Sequence, residues 1–290
     1  MSILDGKKAA ADLKEEVRLK LAEYYKKGAP KCYLAIIMVG DNPASEVYVR
    51  NKARACEAVG IGGKLIKLNE KTTQDELERY VKAVSSDKNV HGVMIQLPLP
   101  PHLDEDRATE LVPPEKDIDG FTTASLGRLA VGKTEFLSCT PGGIIYLLKR
   151  NKIVLTGKNV VVVGRSKIVG KPLALALLNE NATVTVCHSK TKNLASITSK
   201  ADILISAVGK PNFITADMVK YCAVVVDVGI NRTERGLVGD VDYDSVSKVA
   251  SFITPVPGGV GPMTVAYLMK NTLLAYEKSL SDVLNGKNGL

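Results

Sequence analysis

Residues 159–180, NVVVVGRSKIVGKPLALALLNE, decide the fold class. A run of valines predicts a short buried strand, and the apolar stretch after Pro172 predicts a helix. The turn between them carries Gly164 and Gly170. Such a turn presents free backbone N–H groups and the positive end of the helix dipole, and both favour a phosphate group. The spacing is G-x5-G and not the common G-x-G-x-x-G, so an ordinary turn is an open alternative.

The same alternation of strand and helix patterns extends in both directions, which is typical of an α/β fold with a largely parallel sheet. Helices are predicted at the N-terminus, over 43–59, over about 73–85 and from Pro262 to about Val283. We expect two α/β domains flanking a cleft, the second of them Rossmann-like. The predicted strands are CYLAIIMVG (32–40), IGGKLIKL (61–68), VHGVMI (90–95), NVVVVG (159–164), TVTVC (183–187), DILISAV (202–208), AVVVDVG (223–229) and ASFIT (250–254).

The composition limits the possible functions. A chain of 290 residues is comfortable for two domains, and it contains no apolar run near the roughly 20 residues that cross a bilayer. Its N-terminus lacks the apolar core of a secretory signal. Five scattered cysteines, no C-x-x-C pair and three histidines indicate free thiols in a reducing, cytoplasmic setting and no metal site.

The formal net charge of +8 raises the question of an anionic partner. The basic residues are spread along the chain, without a dense Lys/Arg run interleaved with aromatic residues. We therefore expect no nucleic-acid partner and no membrane partner. The charge either aids solubility or matches anionic small ligands.

The residues after the strand at 183–187 indicate which dinucleotide is bound. A fold that prefers NAD usually places Asp or Glu there, where the carboxylate accepts hydrogen bonds from the ribose hydroxyls. Here the strand is followed by His188, Ser189, Lys190 and Thr191, and Arg165 lies in the preceding glycine turn. A cationic, hydroxyl-bearing pocket suits a 2′-phosphate and favours NADP. His188 is interpreted as a hydrogen-bonded surface histidine without a catalytic role.

The helix predicted over 43–59 carries a lysine away from its charged face. At about 100° per residue, Lys52 lies on the opposite face, one turn after Tyr48. A lysine whose aliphatic stem covers a mixed face is the common explanation, and a lysine that acts on a ligand is the other. The pattern leaves both open. The charged face holds Glu46, Arg50, Arg54 and Glu57, and the face of Lys52 holds Ser45, Ala55, Cys56 and Val59.

Three further segments have the composition of binding loops. Gln96 follows the strand at 90–95, and α/β proteins bind ligands at the carboxyl ends of parallel strands. Residues 116–120, KDIDG, offer Asp117 and Asp119 in a tight turn, which by itself is an ordinary turn signal. Residues 254–264, TPVPGGVGPMT, suggest backbone packed closely against a ligand, with a rigid connector as the alternative.

Together these segments resemble the bifunctional methylenetetrahydrofolate dehydrogenase/methenyltetrahydrofolate cyclohydrolase (FolD) family over nearly the whole chain. The resemblance implies NADP-dependent oxidation of 5,10-methylenetetrahydrofolate and hydrolysis of the 5,10-methenyl product to 10-formyltetrahydrofolate. It implies a folate-binding catalytic domain at 1–148 and 270–290, and a Rossmann-like NADP-binding domain at 149–269. The motifs that carry it are SEVYVRNKARACEAVGI, VMIQLPLPPHL, PEKDIDGF, VVVGRSKIVGKP, CHSKT and PVPGGVGPMT, in this order.

The resemblance also implies roles for individual residues. Lys52 is the expected acid/base group, Gln96 tunes it, Tyr48 stacks on or orients the folate, and Asp119 binds the pterin. It further implies a homodimer formed through the cofactor domain, and the +8 charge suits polyglutamylated folates. The expected substrate-binding set is Tyr48, Lys52, Gln96, Leu97, Asp119, Pro257, Gly258 and Gly259, and the expected cofactor-binding set is Gly164, Arg165, Ser166, Ser189 and Ile230.

The chain departs from the family pattern at two positions, and two alternative functions are open. Ser138 stands where the family commonly has Pro, and Gly142 stands where it commonly has a basic residue. We expect these two differences to affect local contacts with the cofactor or between the domains, and not the chemistry. One alternative is a dehydrogenase without hydrolase activity, and the presence of Lys52 speaks against it. The other is a catalytically silent NADP-binding sensor, which leaves the Tyr48, Lys52, Gln96 and Asp119 set unexplained.

Overall fold

The computed structural model describes residues 1–234 and 236–284, and these form two compact α/β units. One unit comprises Met1–Ala11 and Ser138–Thr264, and the other comprises Asp12–Leu137 and Val265–Leu290. We call them the large-sheet unit and the small-sheet unit. No helix within the described residues combines the length and the apolar character needed to cross a membrane.

The small-sheet unit is built on three parallel strands. Strand β2 (Tyr33–Val39) lies between β3 (Gly62–Leu68) and β4 (Gly92–Ile95). The central strand is buried almost throughout, which explains its unbroken apolar run. Four helices belong wholly to this unit: α2 (Pro43–Val59), α3 (Gln74–Ser86), α4 (Glu105–Thr109) and α5 (Thr123–Ala130). Helices α1 (Gly6–Lys26) and α10 (Val260–Leu284) each begin in the large-sheet unit and continue in this one.

The large-sheet unit contains a six-stranded parallel sheet in the order β1-β11-β8-β7-β5-β6. The strands are β1 (Ser2–Ile3), β5 (Asn159–Val163), β6 (Thr183–Cys187), β7 (Ile203–Ser206), β8 (Val224–Asp227) and β11 (Phe252–Ile253). A separate antiparallel pair consists of β9 (Asn231–Thr233) and β10 (Gly236–Val238). The helices are α6 (Cys139–Arg150), α7 (Gly170–Asn179), α8 (Leu194–Thr198) and α9 (Tyr243–Val246).

The α/β class, the parallel sheets and the division into two units are confirmed, but the units divide at other positions than the predicted domains. Ser2 and Ile3 pair in parallel with Phe252 and Ile253, so the N-terminus belongs to the large-sheet unit and not to a domain over 1–148. The large-sheet unit also begins at Ser138, because α6 packs against α7. A two-residue strand has no periodicity, and therefore β1 could not be predicted.

A buried histidine extends the pairing of β2 with β4. His91 precedes β4, and its Nδ1 accepts a hydrogen bond from the backbone N–H of Tyr33 at 3.0 Å. Its own backbone N–H donates to the Tyr33 carbonyl at 2.9 Å, and its ring lies edge-on to that of Tyr276. Burial lowers the pKa of His91, and the nearby charge of Lys116 lowers it further. The folded protein therefore favours the neutral imidazole.

We predict that His91 makes the protein less stable in acid. Because the folded-state pKa is lowered, the stabilisation is complete above the unfolded-state value of 6.5 and is lost as the pH falls through the folded-state value. Denaturant unfolding between about pH 5 and 8 should show a smaller acid loss for His91→Phe than for the wild type. His188→Phe, in the large-sheet unit, is the matched control. Equal acid losses in the wild type and His91→Phe would contradict the prediction.

Candidate functional site

Lys52 is held by groups at the end of β4. Asn42 caps α2, with its Oδ1 accepting from the Ser45 N–H at 3.2 Å, and this fixes the phase of the helix. The predicted helix faces are confirmed in part: Arg50, Arg54 and Glu57 are exposed and Ser45, Cys56 and Val59 are buried. Tyr48, predicted on the face of Lys52, is exposed, and Glu46, predicted on the charged face, is partly buried. Lys52 Nζ donates to Gln96 Oε1 at 3.1 Å and lies 3.4 Å from Met94 Sδ. Lys52 therefore does not extend to solvent along a mixed face.

Gln96 is oriented by its own backbone and by the next residue. Its N–H donates to the Ile37 carbonyl at 2.8 Å, which extends the β2–β4 ladder by one residue. Its Nε2 donates to the Leu97 carbonyl at 2.6 Å. The amide nitrogen is thus engaged, and the amide oxygen is left to accept from Lys52. Sequence reasoning missed Met94, because a methionine in an apolar strand is normally only a core residue.

The two aspartates of the KDIDG turn have different surroundings. Asp117 is 3% exposed, and its carboxylate accepts hydrogen bonds from several groups of the following loop. It therefore fixes the turn that carries Asp119, which is only partly buried. Tyr48 is 51% exposed and lies one helical turn before Lys52. The donors to Asp117 are the N–H groups of Phe121 and Thr122 and the hydroxyls of Thr122 and Ser125.

Both glycines of the G-x5-G turn are required by close backbone contacts. Gly164 has φ +126°, and a Cβ there would overlap the carbonyl oxygen of Ala207. A Cβ on Gly170 would overlap the carbonyl oxygen of Gly164. The Gly164 N–H donates to the Cys187 carbonyl at 2.8 Å, which joins the turn to the end of β6. The turn is a tight cradle ahead of α7, and such a cradle suits a dinucleotide phosphate.

Arg165 and Ser189 follow the carboxyl ends of neighbouring strands. Val163 and Cys187 are register partners in β5 and β6, and both Arg165 and Ser189 are exposed just beyond them. This arrangement suits the 2′-phosphate that the sequence predicts. The His188 Nδ1 accepts from the Lys190 N–H at 3.2 Å, so His188 is hydrogen-bonded as expected.

Ser166 binds the backbone at the start of helix α7. Its hydroxyl oxygen accepts from the N–H groups of Val169 and Gly170, both at 3.2 Å. The hydroxyl proton is still able to donate, so the predicted cofactor contact is compatible with these two bonds. Within the described parts of the chain, no three His, Cys, Asp or Glu side chains gather into a group that could hold a metal ion.

The Pro- and Gly-rich segment at 254–264 packs tightly against the start of α1. The Lys7 N–H donates to the Gly258 carbonyl at 3.0 Å, and a Cβ on Gly6 would overlap the Gly259 carbonyl. A Cβ on Gly259 would lie 2.6 Å from the Pro255 carbonyl oxygen. Contacts within the chain thus account for the glycines, which favours the rigid-connector alternative at Gly259. The Gly258 φ of +112° also requires glycine.

Ile230 is exposed in the large-sheet unit, while the two departures from the family pattern lie inside it. Ile230 follows β8 and is 51% exposed, although its side chain is apolar. Ser138 is buried at the position before α6, and Gly142 is buried in the first turn of that helix. Near them, Thr140 Oγ1 lies 2.9 Å from Thr264 Oγ1.

Comparison with known proteins yields consistent matches over both units. Residues 4–119 match the catalytic domain of tetrahydrofolate dehydrogenase/cyclohydrolase, and residues 138–280 match the NAD(P)-binding domain of the same family. The bifunctional protein FolD of Agathobacter rectalis is 54% identical over 278 residues, covering 96% of this chain and 99% of that protein.

Solved structures similar to this chain come from the same family. The FolD methylenetetrahydrofolate dehydrogenase/cyclohydrolase of Campylobacter jejuni superposes with a TM-score of 0.94 at 49% identity, covering 96% of this chain and 99% of that one. The Trypanosoma brucei methylenetetrahydrofolate dehydrogenase-cyclohydrolase, solved with NADP cofactor and an inhibitor, has a TM-score of 0.91 at 37% identity. The match covers 97% of this chain and 98% of that one.

We predict that Gly164→Ala is strongly destabilising. The methyl group meets the Ala207 carbonyl, and the φ of +126° is strained for alanine, so the free energy of unfolding should fall by about 3 kcal/mol. Gly157→Ala is the matched control, because Gly157 also has a positive φ but nothing lies within 4 Å of its Cβ position. It should lose only about 1 kcal/mol. Equal losses in urea unfolding would show that the Ala207 contact is unimportant.

Proposed function

The chain belongs to the tetrahydrofolate dehydrogenase/cyclohydrolase family, and from this premise we propose how its own residues carry out the family's two reactions. It is a bifunctional enzyme that oxidises 5,10-methylenetetrahydrofolate with NADP and hydrolyses 5,10-methenyltetrahydrofolate to 10-formyltetrahydrofolate. The hydrogen bond from Lys52 Nζ to Gln96 Oε1 is the observation that carries the assignment of residue roles.

In the oxidation, the main task of the protein is to hold its ligands. The lone pairs of the folate nitrogens drive hydride loss from the methylene carbon, because they stabilise the cation that forms. Bound NADP supplies the hydride acceptor. We assign binding of its pyrophosphate to the turn at Gly164, and binding of its 2′-phosphate to Arg165 and Ser189. Ser166 and Ile230 complete the proposed cofactor-binding set.

In the hydrolysis, a water oxygen bonds to the methenyl carbon and the bond from that carbon to N5 of the pterin breaks. The water oxygen loses both of its protons as it becomes the formyl oxygen, N5 gains one proton, and the other is released to solvent. We assign the removal of a proton from the water and the protonation of N5 to Lys52 Nζ. Gln96 Oε1 accepts a hydrogen bond from this nitrogen, and the Gln96 amide is itself fixed through the Leu97 carbonyl. This anchoring supports Gln96 as the residue that positions the acid/base group.

Two further side chains are assigned to the folate. Tyr48, on the same helix as Lys52, stacks on or orients the ring system, and its half-exposed ring is available for this. Asp119 binds the amino and ring N–H donors of the pterin as a charge-assisted pair, and the buried Asp117 carboxylate supports the turn that presents it. Leu97, Pro257, Gly258 and Gly259 are the remaining residues of the proposed substrate-binding set.

We propose a homodimer formed through the large-sheet unit. Strand β6 is the edge strand of the six-stranded sheet, and Val186 on it is exposed although apolar. An exposed edge strand with apolar side chains favours pairing with a second copy.

We also propose polyglutamylated folates as substrates and the cytoplasm as the location. The net charge of +8 suits a polyanionic substrate tail as well as an anionic cofactor. All five cysteines have free thiols, which is typical of proteins in a reducing compartment.

We predict that Lys52→Met separates the two activities. Methionine keeps an unbranched, apolar side chain but cannot transfer a proton, so hydrolysis of methenyltetrahydrofolate should fall at least about a hundredfold. Oxidation should persist, and methenyltetrahydrofolate should accumulate in step with reduced NADP, both followed by absorbance. Arg54→Met, on the exposed face of the same helix, is the matched control. Hydrolysis at the wild-type rate in Lys52→Met would eliminate the assigned role.

We predict that Arg165→Ala weakens NADP selectively. Loss of a charge-assisted bond to the 2′-phosphate should raise the KM for NADP at least about tenfold and leave the KM for NAD little changed. Lys158→Ala removes an exposed positive charge before β5, at the amino end of the same sheet, and should alter neither constant. An equal rise for NADP and NAD in Arg165→Ala would place the contact elsewhere than on the 2′-phosphate.

A further inference from the structure

The large-sheet unit contains a buried carboxylate that the reaction does not use. Asp240 is 0% exposed, and it lies just after β10, where the chain returns to the carboxyl ends of β7 and β8. A buried carboxylate requires several donors to offset its desolvation. The groups that donate to Asp240 are the Ser206 hydroxyl (3.4 Å), the N–H groups of Val208 (2.6 Å), Gly209 (3.2 Å) and Lys210 (3.0 Å), and the side-chain amide of Asn231 (3.0 Å).

These donors lie at the carboxyl edge of the sheet, from the end of β7 to the start of β9. Residues 207–210 follow β7, and residues 228–231 follow β8. The two carboxylate oxygens of Asp240 bind different donors. Oδ2 accepts from the N–H groups of Val208 and Gly209, and Oδ1 accepts from the Lys210 N–H and the Asn231 side-chain amide. Asp240 therefore joins the loop after β7 to the loop after β8 through a single rigid group.

The loop after β7 connects Asp240 to the glycine turn at Gly164. The Val208 N–H and the Ala207 carbonyl belong to one peptide plane and point in opposite directions. Because Asp240 accepts from the N–H, the carbonyl is directed away from Asp240, and the Ala207 oxygen occupies the place where a side chain on Gly164 would lie. The position of the Gly164 turn thus depends on the peptide that Asp240 orients.

The loop after β8 connects Asp240 to Ile230. The Gly229 N–H donates to Asp227 Oδ1 at 3.0 Å, and Asn231 donates to Asp240, so both neighbours of Ile230 are fixed. A Cβ on Gly229 would overlap Asp240 Oδ1, which shows how closely the backbone packs on the carboxylate. The exposed apolar side chain of Ile230 is thereby held out from the sheet edge.

Asp227 in turn holds Asp240 in place. Its Oδ1 accepts from the Asp240 N–H and its Oδ2 from the Val241 N–H, both at 2.9 Å. Burial raises the pKa of Asp227 to about 6, with the charge of Asp240 as a lesser cause. The Asp227 N–H donates to Thr254 Oγ1 at 2.7 Å, so the pair also reaches the start of the 254–264 segment.

We propose that Asp240, seated on Asp227, is a positioning residue for NADP, because it fixes the peptides that place the Gly164 turn and Ile230. This inference rests on the proposed assignment of Gly164 and Ile230 to the cofactor site. Asp240 is expected not to touch NADP itself, since its oxygens are occupied by this chain's own donors.

Asp240→Asn tests the proposal with little change in shape. Both carboxylate oxygens accept from N–H groups, so an asparagine must turn its NH2 group towards one set of N–H donors and release that loop. Isothermal titration with NADP alone should show a dissociation constant raised at least about tenfold. Hydrolysis of methenyltetrahydrofolate, assayed without NADP, should stay within about twofold of the wild type, because Lys52 and Gln96 belong to the other unit.

Asp202→Asn is the matched control. Asp202 is in the same sheet unit but at the amino end of β7, where it accepts from the Asn159 N–H at 2.9 Å and from Lys220 Nζ at 2.7 Å. Its loss should lower the melting temperature without changing the NADP dissociation constant. If Asp202→Asn weakens NADP as much as Asp240→Asn does, the effect of Asp240 is general destabilisation, and the proposal is wrong.

Asn231→Ala keeps the test decisive if Asp240→Asn does not fold. It removes one donor and leaves the carboxylate, so the NADP dissociation constant should rise about threefold. An unchanged constant in this variant would overturn the proposal. Arg165→Ala separates this outcome from a failure of the cofactor site itself. If Arg165→Ala weakens NADP and Asp240→Asn does not, only the positioning role fails, and if neither does, the proposed NADP site is wrong.

Discussion

Parallel strand pairing is the constraint on which the rest of the structure depends. Because all strands of the three-stranded and six-stranded sheets run the same way, the residues that follow them meet at one edge of each sheet. In the small-sheet unit this brings Gln96, after β4, within hydrogen-bonding distance of Lys52 on the helix that follows β2. In the large-sheet unit the register of β5 with β6 brings Arg165 and Ser189 beyond adjacent strand ends.

Several N–H groups of the loops at these edges donate to buried carboxylates. Asp117 in one unit and Asp240 in the other each accept from several N–H and hydroxyl groups of nearby loops. A carboxylate offers more acceptor capacity in a small volume than any neutral side chain, and it forms stronger bonds. Each unit thus uses a buried negative charge as the centre of a loop that presents other residues, such as Asp119 and Ile230.

The sequence was sufficient for the elements that have a strong local pattern. The valine-rich strands and the helix over 43–59 follow from periodicity, and all are present. The very short β1, the β9–β10 pair and the roles of Asp227 and Asp240 were not predicted, because they depend on contacts between residues distant in sequence. An aspartate inside the apolar run AVVVDVG was the one available signal for Asp227. The glycines near Gly259 show that one pattern can have two causes, since contacts within the chain require them and their assignment to the substrate stays a prediction.

The surroundings of Lys52 differ from those of the lysines that form ion pairs in this protein. Lysines such as Lys149 and Lys220 form ion pairs with the carboxylates of Glu180 and Asp202. The described partners of Lys52 are an amide oxygen and a thioether sulfur, both uncharged. Neutral acceptors fix the position of the nitrogen without an ion pair. The acid/base role proposed for Lys52 depends on this firm placement relative to the folate.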